Sequence, residues 1–118
     1  MPETTHDLTG FVDVAAVSEL SASEGRIVEA AGTWIAVFVA DGQTYAIDNA
    51  CPHMAGPLGA GQCHDGIVTC PVHGWRFDVR TGEAPTNPNT KVECFETRVS
   101  DGRVFVRLRE NDGLRRNS

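Results

Sequence analysis

Two short segments of nearly the same make, Cys51-Pro52-His53 and Cys70-Pro71-Val72-His73-Gly74, stand sixteen residues apart in a chain of 118. Each supplies one thiol and one imidazole from a tight loop. The proline after each cysteine fixes φ and removes an amide donor, so the loop is stiff before anything binds to it. A chain that uses both segments together must carry two loops to one place and hold them there. That requirement narrows the possible folds more than any other feature of the sequence.

The surroundings of the two segments read as strands and turns. Twelve glycines and six prolines, with few helix-forming runs, argue for short strands joined by tight turns, and hence for an all-β fold. Phe11 to Val17 alternates as a first strand, although Ala15-Ala16 also allows a helical start, and a loop or short turn follows over Ser18 to Glu24. Arg26 to Ala30, Thr33 to Ala40 and Gln43 to Asp48 form a β-meander whose second turn is Asp41-Gly42. Trp34, Ile35, Val37, Phe38, Val39, Tyr45 and Ile47 are apolar at both parities, so at least one of these strands is covered on both faces and these residues supply much of the core. Lys91 to Val99 and Arg103 to Leu108 make a second hairpin around Ser100-Asp101-Gly102, with Val104, Val106 and Leu108 on one face. Between the two strand groups, about 49–88, lie loops rich in Gly, Pro, Cys and His, broken only by Ile67-Val68-Thr69 and Trp75-Arg76-Phe77. The expected organisation is a polar arm over 1–9, one domain over 10–109 and a polar tail over 110–118. A hydrophobic share of 41% in this length suffices for one core and not for two ordinary domains.

The residues leave two chemistries open. Two thiols and two imidazoles can hold zinc in a tetrahedral site, or an iron–sulfur cluster with thiolates on one iron and imidazoles on the other. Zinc fingers usually group the cysteines together and the histidines together, whereas here each pair is mixed and lies between strand-like runs, which favours the cluster. Met1 to Asp7 offers neither a basic stretch nor an apolar run, and no segment approaches the about 20 apolar residues of a membrane helix. A cytoplasmic protein is therefore expected, and in that compartment metal binding is a better use of four cysteines than disulfides. Cys63 and Cys94 read as ordinary thiols or small core residues, with a disulfide between them unsupported. His64 reads as a solvated loop residue, His6 as part of the arm, and Met54 as a cap over the metal site. Trp75 and Phe77 read as packing that fixes the second loop. A net charge of −6 argues against nucleic acid or an anionic membrane as partner.

The pattern Cys-Pro-His, sixteen residues, Cys-Pro-Val-His-Gly-Trp resembles the Rieske iron–sulfur motif. The likeness extends through Tyr45-Ala46-Ile47-Asp48-Asn49, Gly56-Pro57-Leu58, Trp75-Arg76-Phe77-Asp78 and Thr81-Gly82, and so covers about 11–108. It implies an antiparallel β-sandwich of Rieske type with a two-loop cluster-binding subdomain. It also implies one [2Fe–2S] cluster ligated by Cys51 and Cys70 on one iron and by His53 and His73 on the other, covered by a third loop containing Pro85 or Pro88. Respiratory members of the family carry a disulfide where this chain has Gly56 and Val72, and hydroxyl donors where it has Trp75 and Phe77. Without those donors the reduced cluster is less stabilised, so the potential is expected at the low end of the Rieske range.

The sequence is thus similar to the ferredoxins of multicomponent ring-hydroxylating oxygenases. The resemblance implies an electron carrier rather than an enzyme, with a flavoprotein NAD(P)H reductase as donor and a terminal oxygenase as acceptor. A small nitrite reductase subunit and a structural zinc module are the alternatives. Replacing one thiolate by a neutral imidazole removes a negative charge at about 4 Å, which at an effective dielectric of roughly 20 eases reduction by about 4 kcal/mol. That is roughly 170 mV for one electron, and two replacements give roughly 300 mV, the size of the gap between plant-type and low-potential Rieske centres.

Overall fold

The computed structural model describes residues 10–21, 23–30, 32–51, 56–72, 74–85 and 87–107. The expected arm over 1–9, the tail over 110–118, and Pro52, His53, Met54, His73 and Leu108 lie outside the described residues. Among the described residues eleven strands run in chain order: β1 Phe11–Ala16, β2 Arg26–Ala30, β3 Thr33–Ala40, β4 Gln43–Asp48, β5 Gln62–His64, β6 Ile67–Thr69, β7 Arg76–Asp78, β8 Glu83–Ala84, β9 Asn87–Lys91, β10 Cys94–Ser100 and β11 Arg103–Arg107. Two single 3₁₀ turns, Val17–Glu19 and Leu58–Ala60, are the only helical elements among the described residues.

The strands form a six-stranded antiparallel sheet in the order β1-β11-β10-β4-β3-β2, a three-stranded sheet β5-β6-β7, and the pair β8-β9. Strand β10 divides its pairing: Cys94 and Phe95 face β4, while Glu96 to Ser100 face β11. The edge strands β1 and β2 approach one another, so the large sheet curls on itself as a sandwich does when a strand passes from one layer to the other. Three hairpins of this fold turn on Asp-Gly. Asp41, Asp65 and Asp101 have φ of 55°, 53° and 53°, and the glycine after each is also left-handed, which is the type I′ geometry that matches strand twist.

Two apolar cores result, and β3 and β4 are their shared wall, β4 turning Ala46 to the first and Ile47 to the second. Ile35 and Val37 point into the curled sheet with Ala30, Ala46, Phe95, Val104 and Val106. Ala36, Phe38 and Ala40 point the other way, against Leu58, Cys63, Val68, Phe77, Cys51 and Cys70. This is the two-sided burial expected from the apolar run at both parities.

Trp34 departs from that expectation, being 55% exposed. It pairs with Glu29 one step from the β2–β3 turn, where the small sheet no longer covers the face shared by Ala36 and Phe38. The expected strand Lys91 to Val99 is interrupted at Val92 and Glu93. The Val92 N–H donates to Gly82 O at 2.8 Å, and the Asp48 N–H donates to Glu93 O at 2.9 Å, so adjacent residues are drawn toward different sheets. Within the segment expected to be mostly loop, β5, β8 and β9 are strands.

Candidate metal centre

The two cysteines of the motif come from different bodies. Strand β4 of the large sheet runs through Asn49 and Ala50 into Cys51. There the chain closes a loop: Ala50 bridges Pro57, and the Cys51 N–H donates to Gly56 O at 2.9 Å. Asn49 roots the loop. Its N–H donates to Trp34 O at 3.1 Å, its carbonyl accepts from Leu58 N–H at 2.7 Å, and its side-chain Oδ1 accepts from Gly59 N–H at 2.7 Å.

Strand β6 of the small sheet delivers Cys70, and β7 leads away from the second loop. The Cys70 N–H donates to Trp75 O at 2.6 Å and its carbonyl accepts from Gly74 N–H at 2.9 Å, so this loop too is closed at its base by backbone. Trp75 and Phe77 stack with centroids 6.5 Å apart, Phe77 fully buried, in the packing role expected for them.

Both motif thiols are buried, at 2% exposure each. The loops meet at Gly56. A Cβ there would lie 2.7 Å from Cys70 Sγ and 2.5 Å from Val72 Cγ2, closer than real contacts allow. Only the absence of a side chain lets the first loop lie against the thiol of the second. Gly56 and Val72 are the two positions at which respiratory relatives were expected to carry a disulfide, and here they are in contact without one.

None of the four cysteines forms a disulfide. Cys63 belongs to the core that holds Cys51 and Cys70, and burial pushes its thiol pKa above the ordinary value of 9.0. Cys94 is partly buried against the same core. His64 stands out in solvent with a 93% exposed side chain, 3.5 Å from Asp65. Of the four expected ligands, His53 and His73 lie outside the described residues, and among the described residues no group of three metal-ligating side chains gathers. Pro85 is exposed between β8 and β9. The roles of Asn49 and Arg80, whose side chain joins three turns, were not expected. The Asp78-Arg80 spacing was the only local sign of the Arg80 role.

The sequence description of the Rieske [2Fe-2S] domain matches residues 10–96. The ferredoxin component of the naphthalene 1,2-dioxygenase/salicylate 5-hydroxylase systems of Ralstonia sp is 30% identical over 83% of this chain and 95% of that protein. The anthranilate 1,2-dioxygenase ferredoxin subunit of Burkholderia cepacia is 32% identical over 92% of this chain and 99% of that subunit. A solved complex of reduced oxygenase and oxidised ferredoxin in carbazole 1,9a-dioxygenase contains a chain that superposes with a TM-score of 0.75, at 31% identity, over 83% of this chain and 93% of that one.

The described residues fit a [2Fe–2S] cluster. Two buried thiols come from two backbone-closed loops, and Gly56, where the first loop lies against the Cys70 thiol, carries no side chain to crowd it. Among the described residues, no helix is long and apolar enough to cross a membrane.

Proposed function

This chain belongs to the Rieske [2Fe–2S] domain family, and from that premise we propose that it is a one-electron carrier between an NAD(P)H-dependent flavoprotein reductase and a terminal oxygenase, working in the cytoplasm and not itself an enzyme. The observation that carries this reading is the extent of the match. The alignment runs through 99% of an oxygenase ferredoxin subunit, and a relative of the same kind has been solved together with its oxygenase.

When bound, the cluster supplies a one-electron couple. The chain's own part is to hold and shield it. In this proposal Cys51 and Cys70, buried in the second core, hold one iron away from water, and His53 and His73, from the same two loops, hold the other. Leu58, Val68 and Phe77 share the buried core with the two cysteines and would shield a cluster held there from water on that side. Val72, 44% exposed on the second loop, offers a partner an apolar contact beside the site.

The test is an absorption spectrum and an electron paramagnetic resonance spectrum of the purified protein, with iron, sulfide and zinc analysis. A brown protein with two irons and two sulfides, taking up one electron from dithionite to give the low average g value of mixed His/Cys ligation, is the expected result. A colourless protein with one zinc overturns the reading in favour of a structural module. Co-purification with a stable large subunit would move the role from shuttle to fixed subunit.

A further inference from the structure

The two half-sites are built alike beyond their ligands. Strand β4 begins at the Asp41-Gly42 turn and leads to Cys51. Strand β6 begins at the Asp65-Gly66 turn and leads to Cys70. One belongs to the six-stranded sheet and the other to the three-stranded sheet. The two turns from which these strands set out are joined by a single side chain, Arg80.

Its guanidinium donates from Nη1 to Asp41 Oδ2 at 2.9 Å, from Nη2 to the Asp65 carbonyl at 3.0 Å and from Nε to Asp78 Oδ1 at 3.0 Å. The same Asp78 oxygen accepts from the Arg80 N–H at 2.9 Å, fixing the base of the side chain. The guanidinium lies on Gly66 so closely that a Cβ there would stand 2.6 Å from Cζ, and the Val79 N–H donates to Gly66 O at 2.8 Å. The planar fork is therefore used in three directions, which lysine cannot reproduce. Neutral side chains also cross between the sheets, but Asp41 is the large sheet's charged contribution to this junction, and Arg80 is what it meets.

We propose that Arg80 is a positioning residue for the cluster: by tying together the two turns from which β4 and β6 set out, it sets how Cys51 and Cys70 stand relative to each other. The inference rests on the cluster reading above. A pair of strands anchored at one end by a rigid fork and at the other by shared iron leaves the thiols little freedom. Releasing the fork lets the small sheet rock against the large one, and the Fe–S geometry spreads over a range. Supporting groups beyond the ligands tune metal sites in this way.

The experiment compares Arg80→Ala, Arg80→Lys and Asp41→Asn with Arg103→Ala in the cluster-loaded protein. Arg103 is the control because it makes an exposed, doubly bonded ion pair with Asp13 at 2.8 Å and 3.1 Å, but within the large sheet alone. Three readouts are taken: the spread of g values in the reduced state, the midpoint potential, and the rate at which a chelator removes iron.

Arg80→Ala is expected to broaden the spectrum, shift the potential and shorten the lifetime of the cluster roughly five- to tenfold, a factor typical of losing one well-placed tie. Asp41→Asn, which leaves the small sheet's own contacts intact, is expected to move the same readouts in the same direction by less, and Arg80→Lys to fall between. Arg103→Ala is expected to match the wild type in all three. If Arg80→Ala and Asp41→Asn give the wild-type spectrum and potential, Arg80 is not a positioning residue, even if global stability falls. If Arg80→Ala does not fold, Asp41→Asn decides. A wild-type protein without iron and sulfide overturns the cluster reading itself, and that result is seen before any variant is compared.

Discussion

Gly56 is where a single atom separates a working site from a blocked one. Adding a methyl group there places Cβ against Cys70 Sγ and Val72 Cγ2, and overpacking of this kind costs about 1–3 kcal/mol. Gly56→Ala is expected to lower the unfolding free energy measured by denaturant titration by that amount and to cut iron content in the purified protein. Adding Val72→Ala, which removes the nearer obstacle, should restore part of both losses, and a strictly additive double mutant would show that the two residues do not interact. Cys63 gives a second test at this scale. Burial holds its thiol pKa above 9.0, outweighing the lowering by the Gly66 backbone and by Arg80. The folded state then keeps a proton that the unfolded chain releases, so stability is full below about pH 9 and falls as pH rises through the alkaline range. Urea midpoints measured on either side of pH 9 should show the fall, and Cys63→Ala should flatten it while lowering stability at neutral pH.

At the scale of elements, the meander β2-β3-β4 was legible because its strands are long, rich in β-branched and aromatic residues and separated by glycine turns. The bounds expected for Arg26 to Ala30, Thr33 to Ala40 and Gln43 to Asp48 are those observed. Strand β5 was not legible: Gln62–His64 turns only Cys63 inward, and three residues carry too little periodicity. The Asp65-Gly66 pair was its one usable sign, the same signal that marked the other two hairpins. Strands β8 and β9 exist through pairing with each other, which no local pattern announces. The loop that follows Cys51 depends on an element of another kind, the 3₁₀ turn Leu58–Ala60, held by the Asn49 carboxamide. Asn49→Ala leaves the N–H of buried Gly59 without its acceptor, at a cost of about 1–2 kcal/mol. The expected result is faster amide exchange at Leu58–Ala60 and weaker iron retention, with the β10–β11 hairpin unchanged. Equal exchange in both regions would mean that Asn49 supports the whole fold rather than this loop.

Across the whole molecule, the family was readable from the paired Cys-His motif, because metal chemistry requires particular atoms at particular spacings. The support behind it was not, because residues 41, 65 and 80 meet only after two sheets have docked. The division into two cores has a consequence that can be measured. The core of Ile35, Val37, Ala46, Phe95, Val104 and Val106 contains neither motif cysteine, whereas the core of Phe38, Leu58, Val68 and Phe77 contains both. Cluster binding at Cys51 and Cys70, as proposed, would therefore stabilise the second core directly, and the first only through the shared strands β3 and β4. Local opening in proteins follows such units, each with its own free energy. Removing the cluster with acid and chelator, then returning the chain to neutral pH, should raise amide exchange in β5, β6 and β7 by about tenfold or more, while β10 and β11 keep most of their protection. Hydrogen exchange read by mass spectrometry on the holo and apo protein distinguishes the cases. Uniform loss of protection in both sheets would mean that the cores fold as one unit and that the cluster is required for all of it. Unchanged protection in β5 to β7 would mean that the small sheet is held by its apolar contacts with β3, and that the cluster occupies a site already rigid without it.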